Sequence, residues 1–198
     1  MADITISGLD SGIPNKNSAI IPYSDGSTTY KASPSGIVAA SPGSIIDVKQ
    51  FFFQDIFTTT SNTYVIIPGF SVATTPKNIN NKILVRLSLS GGIWGHFGAV
   101  RVYRDETPIG LPFARPGVPD INRCWFNMYD DSDTNDAKTQ SMEFLDSPNT
   151  VSQITYTPRI ACTQGGGTFV INDMTSQARN QTYSGNFVSS LMLMEIAG

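Results

Sequence analysis

Apolar residues in this chain return at every second position far more often than at every third or fourth. That is the period of a half-buried strand, and it argues against amphipathic helices. "KILVRLSLS" shows it best: Ile83, Val85, Leu87 and Leu89 take one face, Lys82, Arg86 and Ser88 the other, and Leu84 breaks the alternation. In "GAVRVYRDE" Val100 and Val102 oppose Arg101 and Tyr103, and in "SQITYTPRIAC" Ile154, Tyr156, Ile160 and Cys162 share a side. "SIIDVKQFFFQDIF", "NTYVIIPGFSV", "RCWFNMYD", "QSMEFLD", "GTFVIND" and "FVSSLMLMEI" add further runs, divided by clusters of Gly, Pro, Asn, Asp and Ser. About nine strands spaced in this way predict an all-β, antiparallel sandwich, and within that class a jelly roll.

The beginning of the chain has another character. Ile20, Ile21 and Tyr23 lead into Asp25-Gly26, and Thr28 to Ala32 return from it. Asp-Gly between two such runs is a strong hairpin signal. A module this small buries little core alone, so it is expected to dock on its own body, a sister subunit or a larger particle. "SPSGIVAASPG" (33–43) reads as the joint, punctuated by Pro34, Gly36, Pro42 and Gly43. The expected division is an attachment module with its linker over 1–40 and a sandwich over 41–198.

The last run, "SSLMLMEIAG", is apolar on both faces: Leu191 and Leu193 point one way, Met192, Met194 and Ile196 the other. Both faces need cover. One can be the sandwich core; the other calls for a further sheet element or a sister subunit.

Composition narrows the function classes. The 198 residues suffice for one core and a small appendage. Hydrophobic residues make up 40% and charged residues 15%; the latter is well below the usual quarter, so hydroxyls, amides and glycine must supply the polar surface. A net charge of −3 offers no basic field for nucleic acid or an anionic membrane. No apolar stretch reaches membrane-spanning length. The opening "MADITISGLD" lacks the basic and apolar regions of a secretory leader. Cys124 and Cys162 lie far apart and outside any metal-ligand spacing, so two buried thiols are expected ahead of the alternative, a single disulfide between them, in a protein made in a reducing cytoplasm.

"MADITISGLD", the "IIPYSDGSTTYKAS" hairpin and the "PSGI" after it resemble the N-terminal module of phage fibre and minor virion proteins. "PGSIIDVKQ" (42–50), "NKILVRLSLS" (81–90), "FLDSPNTVSQITYTPRI" (144–160) and "LMLMEI" (191–196) resemble a C-terminal domain of phage structural proteins, especially those of cyanobacterial and marine phages. The resemblance implies a non-enzymatic, homotrimeric virion protein, made in the host cytoplasm, serving as a tail fibre, head fibre or capsid decoration (cement) protein. It implies virion attachment through Ile4, Ile6, Leu9, Ile20, Ile21, Tyr23 and Tyr30, and a trimer interface at Leu191, Met192, Leu193, Met194 and Ile196. Implied partners are its own copies, other capsid or tail proteins and a host surface glycan. Two stretches depart from the family: the long Pro- and Asp-rich segment between Gly110 and Ser141, and "QARNQTYSGNFV" in place of a small hydroxyl-rich tail.

Candidate chemistry is sparse, and no cofactor is expected. The single histidine, His96, has Gly and aromatic neighbours, and no nucleophile elbow accompanies it; it reads as a strand residue beside a bulge. Asp131, Asp133 and Asn135 begin like a calcium loop, yet Asp136 stands where a turn glycine belongs and Glu143 falls one place late. A solvated loop over Asp130 to Asp136 is the better reading. Glycan hydrolysis needs a carboxylate pair across a cleft; Asp105 with Glu106, or Asp130 with Asp133, read as surface charge. "TQGGGTF" lacks the Lys-Ser/Thr of a phosphate loop and reads as a hairpin tip. Aromatic and Arg side chains favour recognition surfaces, so Phe113, Arg115, Arg123, Trp125 and Tyr129 form the candidate ligand-contact loop, against the simpler reading that Trp125 or Phe126 is core. The alternative function is a carbohydrate-binding or glycan-hydrolysing sandwich of a tailspike.

Overall fold

A computed structural model describes residues 21–24, 29–32, 42–94, 97–129, 137–163, 166–173 and 187–198. His96, the acidic stretch 130–136 and the attachment residues Ile4, Ile6, Leu9 and Ile20 lie outside them. The chain divides into two compact units, Met1–Ser44 and Ile45–Gly198. In the first, β1 (Ile21–Ser24) pairs antiparallel with β2 (Thr29–Ala32), which sets Tyr23 opposite Tyr30 and Ile21 opposite Ala32.

Among its described residues the second unit contains twelve strands. They are β3 (Ile45–Phe53), β4 (Phe57–Thr59), β5 (Val65–Ile66), β6 (Val72–Thr74), β7 (Lys82–Trp94), β8 (Phe97–Arg104), β9 (Thr107–Ile109), β10 (Phe126–Tyr129), β11 (Lys138–Asp146), β12 (Ile154–Cys162), β13 (Thr168–Ile171) and β14 (Ser189–Ile196). Among the described residues the sole helical element is a 3₁₀ turn, Asp120–Asn122. All pairings are antiparallel and form two sheets.

Three pairs of short strands lie end to end along a common neighbour, β13 and β14 along β7, β5 and β6 along β12, and β9 and β10 along β8, and β3 and β4 follow one another along β14 and β13. Counted as single ranks, they give one sheet in the order β3/β4, β13/β14, β7, β11 and another in the order β5/β6, β12, β8, β9/β10. Numbered one to eight along the chain, the ranks run 1-8-3-6 against 2-7-4-5. Rank 1 thus pairs with 8, 2 with 7, 3 with 6 and 4 with 5, as one long antiparallel ribbon folded over on itself. That winding is the jelly roll.

The alternation seen in the sequence lines the core. Ile83, Val85, Leu87 and Leu89 of β7 are buried against Val100 and Val102 of β8 and Ile154, Tyr156 and Ile160 of β12. Phe53 stacks on Phe70 at 5.0 Å. β7 changes partner from β14 to β13 at Gly91, where a Cβ would collide with the Val170 carbonyl. At one end, Tyr156 Oη donates to Asp146 Oδ2 at 2.7 Å and Arg104 Nη1 reaches the same carboxylate at 2.8 Å. This buried polar knot ties β11 of one sheet to β8 and β12 of the other.

β14 lies between β3 and β7, so the apolar terminal run is an inner strand of its own sheet. Leu191 and Leu193 are spent in the core. Of the residues expected at a trimer interface, these two are covered by the chain's own sandwich.

Candidate functional site

Two outward faces carry the molecule's unusual surface. The first follows from register. Leu145 of β11 is opposite Leu84 of β7, Leu84 is opposite Met194 of β14, and Met194 is opposite Val48 of β3. Cross-strand partners share a face, so these four form one apolar row across every rank of the first sheet, on the side away from the core. At ordinary strand spacing the row is roughly 15 Å long. Its ends are open, with Val48 53% and Leu145 45% exposed. Ile196 and the exposed Ile45 form the next pair along, and Met192 lies on the other side, next to the partly solvated Arg86–Glu143 ion pair at 3.3 Å. Of the expected interface residues, Met192, Met194 and Ile196 are therefore on this face. The exception flagged in the alternation, Leu84, is part of the row.

The second face belongs to the other sheet. Arg101 and Tyr103 point outward from β8, yet both are buried: the segment after β9 folds back over Arg101, and Tyr103 lies beneath the Arg159 guanidinium and beside the Tyr64 ring. Arg101 Nε donates to the Arg123 carbonyl at 2.6 Å, and Nη2 to the Asp120 carbonyl and to Asp120 Oδ2 at 3.0 Å. Arg123 Nη1 donates to Asp120 Oδ1 at 2.9 Å and its Nε to the Pro112 carbonyl. Tyr64 Oη donates to the Ile121 carbonyl at 2.7 Å, and the Arg101 guanidinium lies 4.2 Å over the Tyr64 ring. The hydrogen bond from Arg101 holds the Asp120 carboxyl below the usual carboxylate range, while burial pushes the Tyr64 hydroxyl upward.

The expected ligand-contact residues separate. Trp125 is core: its Nε1 donates to the Ile109 carbonyl at 2.6 Å. Arg123 is occupied in the clasp around Asp120. Phe113, at 96% exposure, and Arg115 stand out at the loop's crest. Tyr129 is half exposed and stacks on Phe97, its register partner, with centroids 4.5 Å apart. Beside this pair, Phe97, Asn122, Asn127 and Thr163 line a cavity of about 280 Å³. Nothing in the sequence drew attention to Tyr64, Asp120 or Asn122; they meet only because the loop folds back.

The remaining candidate residues make contacts within the fold. Asp105 Oδ1 accepts the Thr155 N–H at 2.9 Å and Glu106 pairs with Arg159 at 2.8 Å, so this carboxylate pair closes a hairpin onto β12. Cys124 and Cys162 are free thiols, each raised in pKa by burial; Cys162 is in the core, but Cys124 is only partly covered. Among the described residues no cluster of three or more His, Cys, Asp or Glu could hold a metal, and no helix is long and apolar enough to cross a membrane.

No family model and no curated protein matches the chain. A solved structure described as "Structure of infectious bursal disease virus Gx strain" is similar with a TM-score of 0.34 and 11% identity, over 90% of this chain and 43% of that one. The chain thus spans less than half the length of the protein it matches.

Proposed function

We propose that this is a non-enzymatic virion structural protein that works as a homotrimer. Residues 1–40 attach it to the particle, and the jelly roll projects as a phage fibre or decorates the capsid, for host adhesion or shell stabilisation. The observation that carries the reading is the outward row Val48–Met194–Leu84–Leu145. An antiparallel sheet ordinarily turns polar residues to solvent on this face, and contiguous apolar patches mark contact surfaces. Each large side chain of such a row gains about 1.5–3 kcal/mol when fully buried. Repetition of identical contacts about a symmetry axis then gives assembly without further chemistry. The engagement of Asp105 and Glu106 in backbone and Arg contacts supports a non-catalytic role.

The test is the mass of the purified protein by light scattering. The expected value is near three times the 21.4 kDa chain; a stable monomer at working concentration overturns the homotrimer. The alternative of a carbohydrate-binding or glycan-hydrolysing tailspike domain gains support for its binding half alone, from the cavity beside Tyr129.

A further inference from the structure

The cavity beside Tyr129 has the chemistry of a sugar site. Phe97 and Tyr129 face each other in register across β8 and β10. Their rings stack within 25° of parallel. This contact covers part of Tyr129 and fixes its ring, and 48% of the residue is still open to solvent. An aromatic face fixed in this way suits the C–H face of a pyranose, which offers several polarised hydrogens in one plane.

Around the cavity that Phe97 shares, the polar groups are complementary in kind. Asn127 Oδ1 accepts the Cys124 thiol at 2.9 Å, which leaves its Nδ2 to donate. The Thr163 hydroxyl donates to the Phe97 carbonyl at 3.2 Å, which leaves its oxygen to accept. Asn122 can do both. A sugar hydroxyl is donor and acceptor at once and can use each of them. Among the described residues none of the lining side chains is charged, and an ionic ligand would need a charged partner there to offset its desolvation. The wall is also held in advance: Asn122 lies between Asp120 and Arg123, and Arg101 grips both neighbours. Such preorganisation lowers the cost of binding. The volume, about 280 Å³, is at the small end for ligand cavities and has room for one ring.

We propose that this cavity binds a single neutral pyranose unit of a glycan, with Tyr129 as the stacking platform and Asn122, Asn127 and Thr163 as hydroxyl partners. The proposal names the ligand class for the adhesive role above and rests on that reading for its setting.

The experiment is saturation-transfer NMR on the full chain with glucose, galactose, mannose and N-acetylglucosamine, and with glucuronate as the charged comparison. At least one neutral sugar should bind, with a dissociation constant in the millimolar range, and glucuronate should not. Tyr129→Ala should weaken binding about tenfold or more, and Tyr129→Phe should preserve it. Near-UV circular dichroism establishes that both variants are folded, as expected for a surface position. Absence of binding by all four neutral sugars, equal binding of glucuronate, or undiminished binding by folded Tyr129→Ala overturns the proposal. A trimer that binds no sugar leaves the assembly reading standing and removes this one; a monomer that binds sugar does the reverse.

Discussion

Arg101 and Arg159 stand directly opposite each other across the β8–β12 ladder, and each guanidinium lies over a tyrosine ring, 4.2 Å from Tyr64 and 4.1 Å from Tyr103 respectively. Like charges in a register pair repel. Here each is met by its own carboxylate, Asp120 or Glu106, and by the negative face of an aromatic ring. The two rings are 6.5 Å apart, so the four side chains form one alternating array. Through Arg101 and Tyr64 it holds the loop after β9 on the sheet.

Removal of the Arg101 guanidinium should release that loop. Arg101→Ala deprives the Arg123 and Asp120 carbonyls and the Asp120 carboxylate of a donor. Breaking a buried pair costs about 3–5 kcal/mol; Asp120 is 65% exposed, so water recovers part of that and about 2–3 kcal/mol is expected. The urea midpoint should fall, and limited proteolysis should cut between residues 111 and 119. An Arg101→Ala variant as resistant as the parent would mean that the clasp does not hold the loop.

This array and the Tyr156–Asp146 knot set a pH dependence at both ends. The Asp120 carboxyl is depressed chiefly by its hydrogen bond from Arg101. Its contribution is therefore present above the ordinary Asp value and lost as pH falls through the lower folded value. Tyr64 and Tyr156 are raised, in both cases first by burial and, for Tyr156, next by its bond to Asp146. The unfolded chain releases these protons near pH 10 while the folded chain keeps them, so stability is complete below that pH and declines as pH rises above it. Urea unfolding from pH 8 to 11 should show this decline, and Tyr156→Phe should flatten it. A parent curve level to pH 11 would contradict the burial of both hydroxyls.

Much of the architecture was legible from alternation alone, because β7, β12 and β14 each turn one face to the core and their sequences have a period of two. The jelly-roll class follows from those strands and their turns. The outward surfaces were harder to read. Arg101 and Tyr103, outward on β8, carry the ordinary pattern of solvent-facing residues; Arg101 is held by a loop of 16 residues, Gly110 to Trp125, whose path no local pattern encodes, and Tyr103 lies under Arg159 from another strand. Leu84 was visible only as an irregularity until register set it beside Met194 and Leu145. Leu191 and Leu193 looked available to a subunit because position within a sheet, central or edge, leaves no mark on a single strand.

Glu195 is a buried carboxylate within the apolar terminal strand. Its Oε1 accepts the Lys77 N–H and the Asn81 Nδ2, both at 2.6 Å, and Oε2 is buried without a partner. These bonds fasten the segment before β7 to β14. Glu195→Ala leaves the buried Asn81 amide and the partly buried Lys77 N–H without this acceptor, a loss of about 2–3 kcal/mol. Glu195→Gln retains an acceptor and should lose less. The comparison of urea midpoints checks the order; an Ala variant as stable as Gln would show that Oε1 does not anchor this segment.

Leu193 and Met194 are neighbours on β14 with opposite fates, and that contrast separates folding from assembly. Leu193 faces the core and is 2% exposed, whereas Met194 is in the outward row between Val48 and Leu84. Leu193→Ala should therefore destabilise the chain by about 2–5 kcal/mol through the cavity it leaves. Met194→Asp should fold nearly as well as the parent, because its carboxylate can reach water from that face. In a trimer closed through the row, however, the same carboxylate would be buried without a partner. Circular dichroism should then show an intact sandwich, and light scattering should show the mass falling from three chains to one. If Met194→Asp stays trimeric, the row is not the contact surface, and the subunits must meet through another face.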